Sequence, residues 1–248
     1  MLEIRDAVVR FGGVAAVDGV SISAPPGGIT GLIGPNGAGK TTLFNLIAGA
    51  IRSTAGEIRF EGRSLTHLPA QARLAAGLGR TFQIPRPFPA LTVLENLMVS
   101  APRGAMLEAA LAPGRTRARE LAARDQAREI LDRLALSRLA GEPARVLSGG
   151  QHKLLELGRV LMARPRMILL DEPAAGVNPS LLATIGEHLA SLRDEGIGLL
   201  MVEHNMGFIS FLCDRVHAME SGRIIASGSA AEVLANPRVA ASYLGAAA

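Results

Sequence analysis

Residues 34–41 read Gly34-Pro35-Asn36-Gly37-Ala38-Gly39-Lys40-Thr41, and this glycine-rich stretch decides the fold. It follows a short apolar run at 29–33, which predicts a strand, and it opens a stretch at 41–48 that predicts a helix. The stretch fits the pattern G-x-x-x-x-G-K-[ST] in the strand-to-helix context that the pattern requires. The sequence therefore predicts a loop that turns its backbone N–H groups inward around phosphate groups.

The parts of this loop have separate expected roles. Glycines are needed because side chains would block the phosphates, and the helix N-terminus adds partial positive charge. Lys40 is expected to bridge the β- and γ-phosphates, Thr41 to give its hydroxyl to Mg²⁺, and Thr42 to contact the α-phosphate. The residues expected to contact the nucleotide are Gly34, Pro35, Asn36, Gly37, Ala38, Gly39, Lys40, Thr41 and Thr42. The motif alone indicates only an NTPase, because many folds share it.

Two carboxylates follow a second apolar run. Residues 167–170 predict a buried strand, and Asp171-Glu172-Pro173 comes directly after them. Because ligands bind at the carboxyl edge of a parallel sheet, we expect this pair to lie beside the phosphate loop. Asp171 is then expected to hold Mg²⁺, directly or through water, and Glu172 to polarise the attacking water, which contributes about 10²–10⁴-fold in rate. An acidic pair that merely ends a strand at the surface is the alternative, and the phosphate loop favours the functional interpretation.

The rest of the chain alternates predicted strands and helices, which is typical of an α/β fold with a parallel sheet. From about residue 85 the character changes, and residues 85–147 look like a helical block inserted into the α/β core; within it, 102–116 is rich in Pro, Gly and Arg and predicts a loop. Strands or hairpin arms are predicted at 2–11, 14–23, 29–33, 56–62, 167–170 and 198–202, a hairpin turn at 221–222, and helices at 41–48, 91–98, 120–136, 151–162, 179–193 and 230–235.

Composition bounds the class of protein. The 248 residues are 48% hydrophobic, with a net charge of +4 and a mean hydropathy of +0.28, so a sizeable core can form. No apolar run approaches the ~18 residues of a membrane span, and the first residues lack the apolar core of a signal peptide, so we expect a cytoplasmic protein. Cys213 is the only cysteine, which excludes an internal disulfide. The modest charge favours a solvated surface over a basic membrane-facing or nucleic-acid-binding one, although the latter stays an alternative.

A second anion-binding segment names the family. Leu147-Ser148-Gly149-Gly150-Gln151 precedes a predicted helix, and a serine with two glycines at a helix N-terminus predicts an anion site, or an ordinary N-cap if it stood alone. The segment resembles the LSGGQ signature of ABC ATPases, and the resemblance covers residues 2 to about 245. It implies that Phe11 stacks on adenine, that Gln83 senses Mg²⁺ and the γ-phosphate, and that His204 contacts the γ-phosphate.

The resemblance also implies a fold and a mechanism. The fold is α/β, a P-loop NTPase core with a RecA-like parallel sheet, an antiparallel β subdomain and an inserted helical subdomain. Residues 1–248 would form a single ABC ATPase domain, with 1–84 and 148–248 as the core and 85–147 as the helical subdomain. The implied catalytic residues are Glu172, His204, Gln83 and Lys40; the implied metal ligands are Thr41, Gln83 and Asp171; and the implied signature contacts to ATP are Ser148, Gly149, Gly150 and Gln151. One ATP would be held between the phosphate loop of one subunit and the signature of a second ATPase subunit.

Further stretches look like the LivG-type ATPases of branched-chain amino-acid importers. They include residues 11–17, 80–83, 91–97, 171–179 and 239–245. This likeness implies two transmembrane permease subunits, a homodimer or a LivF-type partner ATPase, and indirectly a periplasmic solute-binding protein, with this chain peripheral to the cytoplasmic face of the inner membrane and no nucleic acid partner. Three residues depart from common ABC patterns: Asn178, His152 and Asn205.

Three alternatives stay open at this point. The ATPase of the lipopolysaccharide exporter is similar, and the transported solute is not encoded in this subunit. Some ABC ATPases act on nucleic acid or ribosomes, but those usually carry two ATPase domains or a long coiled coil, and this chain has one domain without sustained heptads. An ATP-binding regulator without hydrolysis is disfavoured because Glu172 and His204 are both present.

Overall fold

Two sheets form in the computed structural model, which describes residues 1–81, 87–102 and 113–245. The strands are β1 (Leu2–Phe11), β2 (Val14–Ala24), β3 (Ile29–Ile33), β4 (Ala55–Phe60), β5 (Arg63–Ser64), β6 (Leu78–Arg80), β7 (Met167–Asp171), β8 (Gly198–Val202), β9 (Arg215–Glu220) and β10 (Arg223–Gly228). The first sheet has the order β2-β1-β4-β5, and the second has the order β10-β9-β3-β8-β7-β6.

The second sheet is parallel from β9 to β6, and β10 joins it antiparallel. Every residue of β3, β7 and β8 is buried, as expected for strands that are covered on both faces. Since β3, β8 and β7 are parallel neighbours, their carboxyl ends meet at one edge of the sheet. That edge carries the phosphate loop after β3, the carboxylates at the end of β7 and His204 after β8.

The first sheet is antiparallel and confirms the strands predicted at 2–11 and 14–23. Inward positions such as Leu2, Ile4 and Val9 are buried and alternate with exposed or half-buried neighbours. The alternation breaks at Asp6, which has a φ of +47° and lies where the register of β1 shifts.

The helices are α1 (Lys40–Ala48), α2 (Ala70–Ala75), α3 (Val93–Val99), α4 (Pro113–Arg133), α5 (Gly149–Leu161), α6 (Pro179–Asp194), α7 (Met206–Leu212), α8 (Ala230–Leu234) and α9 (Pro237–Gly245), with 3₁₀ turns at Ser137–Leu139 and Ala144–Val146. Side chains cap several of them: Thr92 caps α3, Asn205 caps α7 and Ser229 caps α8. None of the helices in the described residues has both the length and the apolar character of a membrane-spanning segment.

Helix α1, which follows the phosphate loop, is anchored in the core. Leu43, Phe44 and Leu46 are fully buried against both sheets. The buried Arg73 donates from Nη1 to the carbonyl oxygens of Leu46 and Ile47, each at 2.7 Å. A cation at these last carbonyls suits the negative end of the helix dipole. The phosphate loop, which precedes α1, is therefore connected to a helix that is fixed in the core.

The described residues fall into two compact units. One comprises the described residues within 1–80, 166–175 and 186–248 and contains both sheets; the other comprises the described residues within 81–165 and 176–185 and contains α3, α4 and α5. The boundaries predicted for the helical subdomain, 85 and 147, stay predictions.

Both ends of α4 differ from expectation. The predicted loop at 102–116 is wrong from residue 113 onward, because α4 begins at Pro113; proline is accepted at the first helical position, where its missing N–H is not needed. Residues 103–112 of that prediction lie outside the described residues. The helix predicted to reach residue 136 ends at Arg133, where Ala135 takes a positive φ of +55° and terminates it. The sequence also failed to predict β5, β6, α2, α7 and α9.

Candidate functional site

The phosphate loop runs from the end of β3 into α1, as predicted, and its backbone leaves no room for side chains at two glycines. Gly34 and Gly39 have φ angles of +149° and +100°. A Cβ atom on Gly34 would lie 2.1 Å from the carbonyl oxygen of Met219, and one on Gly39 would lie 2.2 Å from that of Ala16. Both contacts are with backbone atoms, so the loop can take this shape only with glycine at these positions.

Lys40 lies inside the loop with its ammonium docked on backbone carbonyls. Its Nζ donates to the oxygens of Gly34 at 2.7 Å and Pro35 at 2.9 Å, and the side chain is buried. An ammonium has three donors, so these two bonds aim the group while a third donor can serve a phosphate. Burial lowers the pKa of Lys40 from its ordinary value of 10.5, and the negative charge of Glu172 opposes that shift.

The N-terminus of α1 offers donors to an anion. No side chain caps it, because Gly39 occupies the N-cap position, and its first turn carries no acidic residue. Its unpaired backbone N–H groups and positive dipole end favour a bound phosphate. Thr41 is exposed and Thr42 half-buried, so neither residue is enclosed in the core.

The two expected carboxylates, Asp171 and Glu172, lie at the end of β7. Asp171 is the last residue of β7 and pairs in register with Val202 of β8. Glu172 takes a positive φ of +49°, while its N–H donates to the carbonyl of Val202 at 3.0 Å. A non-glycine residue held in this conformation costs free energy, and such strain is concentrated at functional sites.

Glu172 and His204 form a pair. His204 Nε2 lies 3.0 Å from Glu172 Oε1, and the two side chains are 40% and 20% exposed, so solvent reaches both. The segment that holds His204 is fixed by its buried neighbour Glu203. One carboxylate oxygen of Glu203 accepts from the N–H of Ala174, and the other accepts from the N–H groups of His204 and Asn205. Glu203 thus ties the segment after β8 to the one after β7.

The predicted signature forms a helix N-terminus in the other unit. Ser148 is the N-cap of α5, and it forms a capping box with Gln151: Ser148 Oγ accepts from the Gln151 N–H at 3.3 Å, and Gln151 Oε1 accepts from the Ser148 N–H at 2.9 Å. Ser148 and Gly149 are exposed, Gly150 is buried and Gln151 is half-buried. The first turn of α5 carries no acidic residue, so this end also suits an anion.

Two further residues were expected at the nucleotide site, Phe11 and Gln83. Phe11, expected to stack on adenine, ends β1 with 56% of its surface exposed, so a face of the ring is open to contact. Gln83, expected to act as a catalytic residue and metal ligand, lies outside the described residues.

With the geometry in place, comparison with known proteins identifies the family. The sequence profile described as ABC transporter matches residues 17–175, and the profile described as branched-chain amino acid ATP-binding cassette transporter matches residues 223–248. This chain belongs to the ABC transporter family. It is therefore one of the ATP-binding ATPase subunits of that family, and the resemblance seen in the sequence is confirmed.

Individual relatives match this ABC ATPase chain over nearly its whole length. The probable branched-chain amino acid transport ATP-binding protein LivG of Methanocaldococcus jannaschii is 38% identical, over 99% of this chain and 97% of that protein. A solved ATP-binding cassette of an ABC transporter in its ADP conformation is 37% identical, with a TM-score of 0.86 over 99% of this chain and 98% of that one. A dimeric bacterial ABC transporter cassette is 25% identical, with a TM-score of 0.75 over 93% and 99%. The predicted α/β fold is confirmed.

The donor set of this ABC subunit suits Mg²⁺. No group of three or more His, Cys, Asp or Glu side chains within the described ranges could hold a metal by itself. Magnesium usually takes one or two protein oxygens and completes its octahedron with water and substrate phosphates. The hydroxyl of Thr41 and the carboxylate of Asp171 are oxygen donors of the kind that Mg²⁺ takes.

One residue that the sequence did not single out contacts the expected metal ligand. Arg80, at the end of β6, donates from Nη2 to Asp171 Oδ2 at 3.1 Å and from Nη1 to Asn45 Oδ1 of α1 at 2.7 Å. It thus links the helix of the phosphate loop to the carboxylate of β7. Only its place in the stretch 80–83, three residues before Gln83, could have drawn attention to it.

Proposed function

We propose that this chain binds and hydrolyses ATP as one of two ATPase subunits that power import of branched-chain amino acids or a related small polar solute. The observation that carries the proposal is the Glu172 carboxylate held 3.0 Å from His204 Nε2 in the unit that contains the phosphate loop. The name of the Methanocaldococcus relative, a probable branched-chain amino acid transport ATP-binding protein, and the profile match at residues 223–248 support the solute class.

The chemistry proposed for the site is an in-line displacement. A water oxygen attacks the γ-phosphorus, the bond between that phosphorus and the β–γ bridging oxygen breaks, and ADP leaves with the electron pair. Glu172 accepts the proton of the water and returns it to the departing phosphate, while His204, its neighbour at 3.0 Å, orients the carboxylate and contacts the γ-phosphate. The buried ammonium of Lys40 balances the charge that spreads over the phosphate oxygens.

The nucleotide would be held by the loop Gly34–Thr41 with Thr42, and Phe11 would stack on the base. Thr41, Asp171 and Gln83 would hold Mg²⁺, which neutralises charge on the β- and γ-phosphates when bound. Positioning and charge balance dominate phosphoryl transfer, which fits a site built mainly from backbone donors and one lysine.

The second ATPase subunit is proposed to close the site. The exposed N-terminus of α5 with Ser148 and Gly149 would cover the γ-phosphate of the nucleotide bound by the other subunit, and Gly150 and Gln151 of the same helical turn would complete the site. The dimeric cassette among the similar structures supports this arrangement. The partner is either a second copy or a LivF-type chain.

The membrane partners follow from the same proposal. Two permease subunits would span the membrane, a periplasmic protein would deliver the solute, and this chain would sit on the cytoplasmic face. The segment that contains Gln83 would pass motion from the ATP site to the permeases.

The test of hydrolysis is Glu172→Gln. Glutamine keeps the size of the side chain but cannot accept the proton, so we expect turnover to fall by about 10²–10⁴-fold. ATP binding should persist, and ATP should trap a dimer that light scattering detects. Glu187→Gln is the matched control, since it makes the same chemical change at an exposed position of α6. Near-normal hydrolysis by Glu172→Gln would exclude Glu172 as the base.

The test of the solute is ATPase activity of the reconstituted complex with its permeases, partner ATPase and binding protein. Leucine, isoleucine and valine should stimulate hydrolysis above the level seen with charged amino acids. Stimulation by no amino acid or short amide, with intact basal activity, would reject the importer assignment and leave the ATPase assignment standing.

A further inference from the structure

The phosphate loop is contacted by a residue from the far end of the chain. Tyr243, on the C-terminal helix α9, accepts a hydrogen bond at its hydroxyl oxygen from the backbone N–H of Gly34, with a distance of 2.7 Å. The two residues are 209 positions apart in sequence. Tyr243 is the only tyrosine of the chain.

Gly34 also accepts a hydrogen bond from Lys40, the lysine of the phosphate loop. Gly34 is held by two hydrogen bonds, from its N–H to Tyr243 and from Lys40 Nζ to its carbonyl oxygen at 2.7 Å, while the carbonyl oxygen of Met219 occupies the space that a side chain at this position would need. Only the first of these contacts comes from a side chain outside the loop. The Tyr243 hydroxyl therefore bonds the same residue on whose carbonyl oxygen the Lys40 ammonium docks.

Helix α9 is itself well anchored. Val239 and Ser242 are buried, and Ser242 Oγ donates to the carbonyl of Val239 within the helix. The helix packs on β10, the second strand of the β9–β10 hairpin in the larger sheet, and on α8, which follows that strand. The phenol is half-buried, and burial raises the pKa of Tyr243 above 10.0, while the bond from Gly34 opposes the shift. The hydroxyl is therefore neutral at physiological pH and able to accept from the amide.

We propose that Tyr243 is a positioning residue for nucleotide binding. Its hydroxyl fixes the position of Gly34, and Gly34 in turn holds the Lys40 ammonium at the place where the phosphates bind. This inference rests on the proposed nucleotide site at Gly34–Thr41. It makes helix α9 a support of the phosphate loop and gives Tyr243 a role in ATP binding.

The physical reason is preorganisation. A loop that is already in its bound shape spends less of the binding free energy on ordering itself. Without the acceptor, the N–H of Gly34 is left unsatisfied or must recruit water, and the loop samples other shapes. The loss should appear in nucleotide affinity and less in the chemical step, because Tyr243 touches neither the carboxylates nor the attacking water in this proposal.

The test compares Tyr243→Phe with Ser242→Ala. Phenylalanine keeps the ring and its packing and removes only the hydroxyl, whereas Ser242→Ala removes a buried hydroxyl that bonds within α9. We expect Tyr243→Phe to weaken ADP binding by ~3–10-fold in calorimetry and to raise the KM for ATP by a similar factor, the size of one lost hydrogen bond, with kcat within ~2-fold of wild type. Ser242→Ala should match wild type in both.

A spectroscopic measurement adds a second readout. With ring-labelled tyrosine, the NMR spectrum holds one tyrosine signal, and ADP should shift it in the wild type and in Ser242→Ala. Unchanged ADP affinity in Tyr243→Phe, or equal losses in both variants, would overturn the positioning role and show a structural one. Failure of the wild-type chain to bind ADP at all would overturn the nucleotide site itself, and this inference with it.

Discussion

Replacing Arg80 with methionine should destabilise the fold and make its stability depend more strongly on magnesium nucleotide. Arg80 pairs with Asp171 at 3.1 Å, and the two side chains are 19% and 6% exposed. Removing one partner of a buried pair costs about 3–5 kcal/mol, and because Arg80 keeps some contact with solvent we expect about 2–4 kcal/mol of unfolding free energy. The lost bond to Asn45 is included in that figure.

Magnesium distinguishes a site effect from a general packing effect. If Asp171 is a metal ligand, Mg²⁺·ADP brings a cation to the carboxylate that Arg80 no longer balances. The stabilisation by Mg²⁺·ADP should then exceed that of the wild type by about 1 kcal/mol or more, a fraction of the pair's cost. Urea denaturation with and without Mg²⁺·ADP measures both quantities.

Arg159→Met is the matched control. Arg159 pairs with Glu156 at 3.0 Å, and those side chains are 18% and 6% exposed, close to the values for Arg80 and Asp171. It should lose stability to a similar degree and gain the same stabilisation from Mg²⁺·ADP as the wild type. Equal gains in all three proteins would refute the link between Arg80 and the metal ligand, and a fully stable Arg80→Met would refute the importance of the pair.

Three further predictions address the loop, the signature and the core. Lys40→Ala should weaken ATP binding by ~10–100-fold in calorimetry, the worth of a charged hydrogen bond, and unchanged affinity would contradict the phosphate-loop assignment. Ser148→Arg should leave ATP binding to the isolated subunit intact and block hydrolysis in the complex; full activity there would speak against a shared site unless the partner's second site carries the turnover. Burial raises the pKa of Cys213 to about 12, so its thiol should resist iodoacetamide at pH 8 until the protein unfolds. The folded state holds this proton more tightly than the unfolded state, so that part of the stability is complete below about pH 9 and is lost as the pH rises towards 12; rapid native-state alkylation would exclude this burial.

The local sequence was enough to predict the segments that show a recognisable pattern of consecutive residues. The pattern at 34–41 predicted a loop between a strand and a helix, and β3 and α1 lie there. Continuous apolar runs predicted β7 and β8, because strands that are covered on both faces show no alternation. These predictions succeeded because a glycine-rich phosphate loop and a continuous apolar run are patterns of consecutive residues, which can be recognised without knowing which strands pair.

Tertiary structure alone decided which distant side chains meet. Nothing in the sequence near Gly34 points to Tyr243, since a hydrogen bond across 209 positions exists only once β10, α8 and α9 have packed. The same holds for Arg80 and Asp171, which meet because β6 pairs with β7. Composition and spacing specify backbone segments, whereas the partner of a long polar side chain depends on strand order and register, which arise only when the whole core assembles.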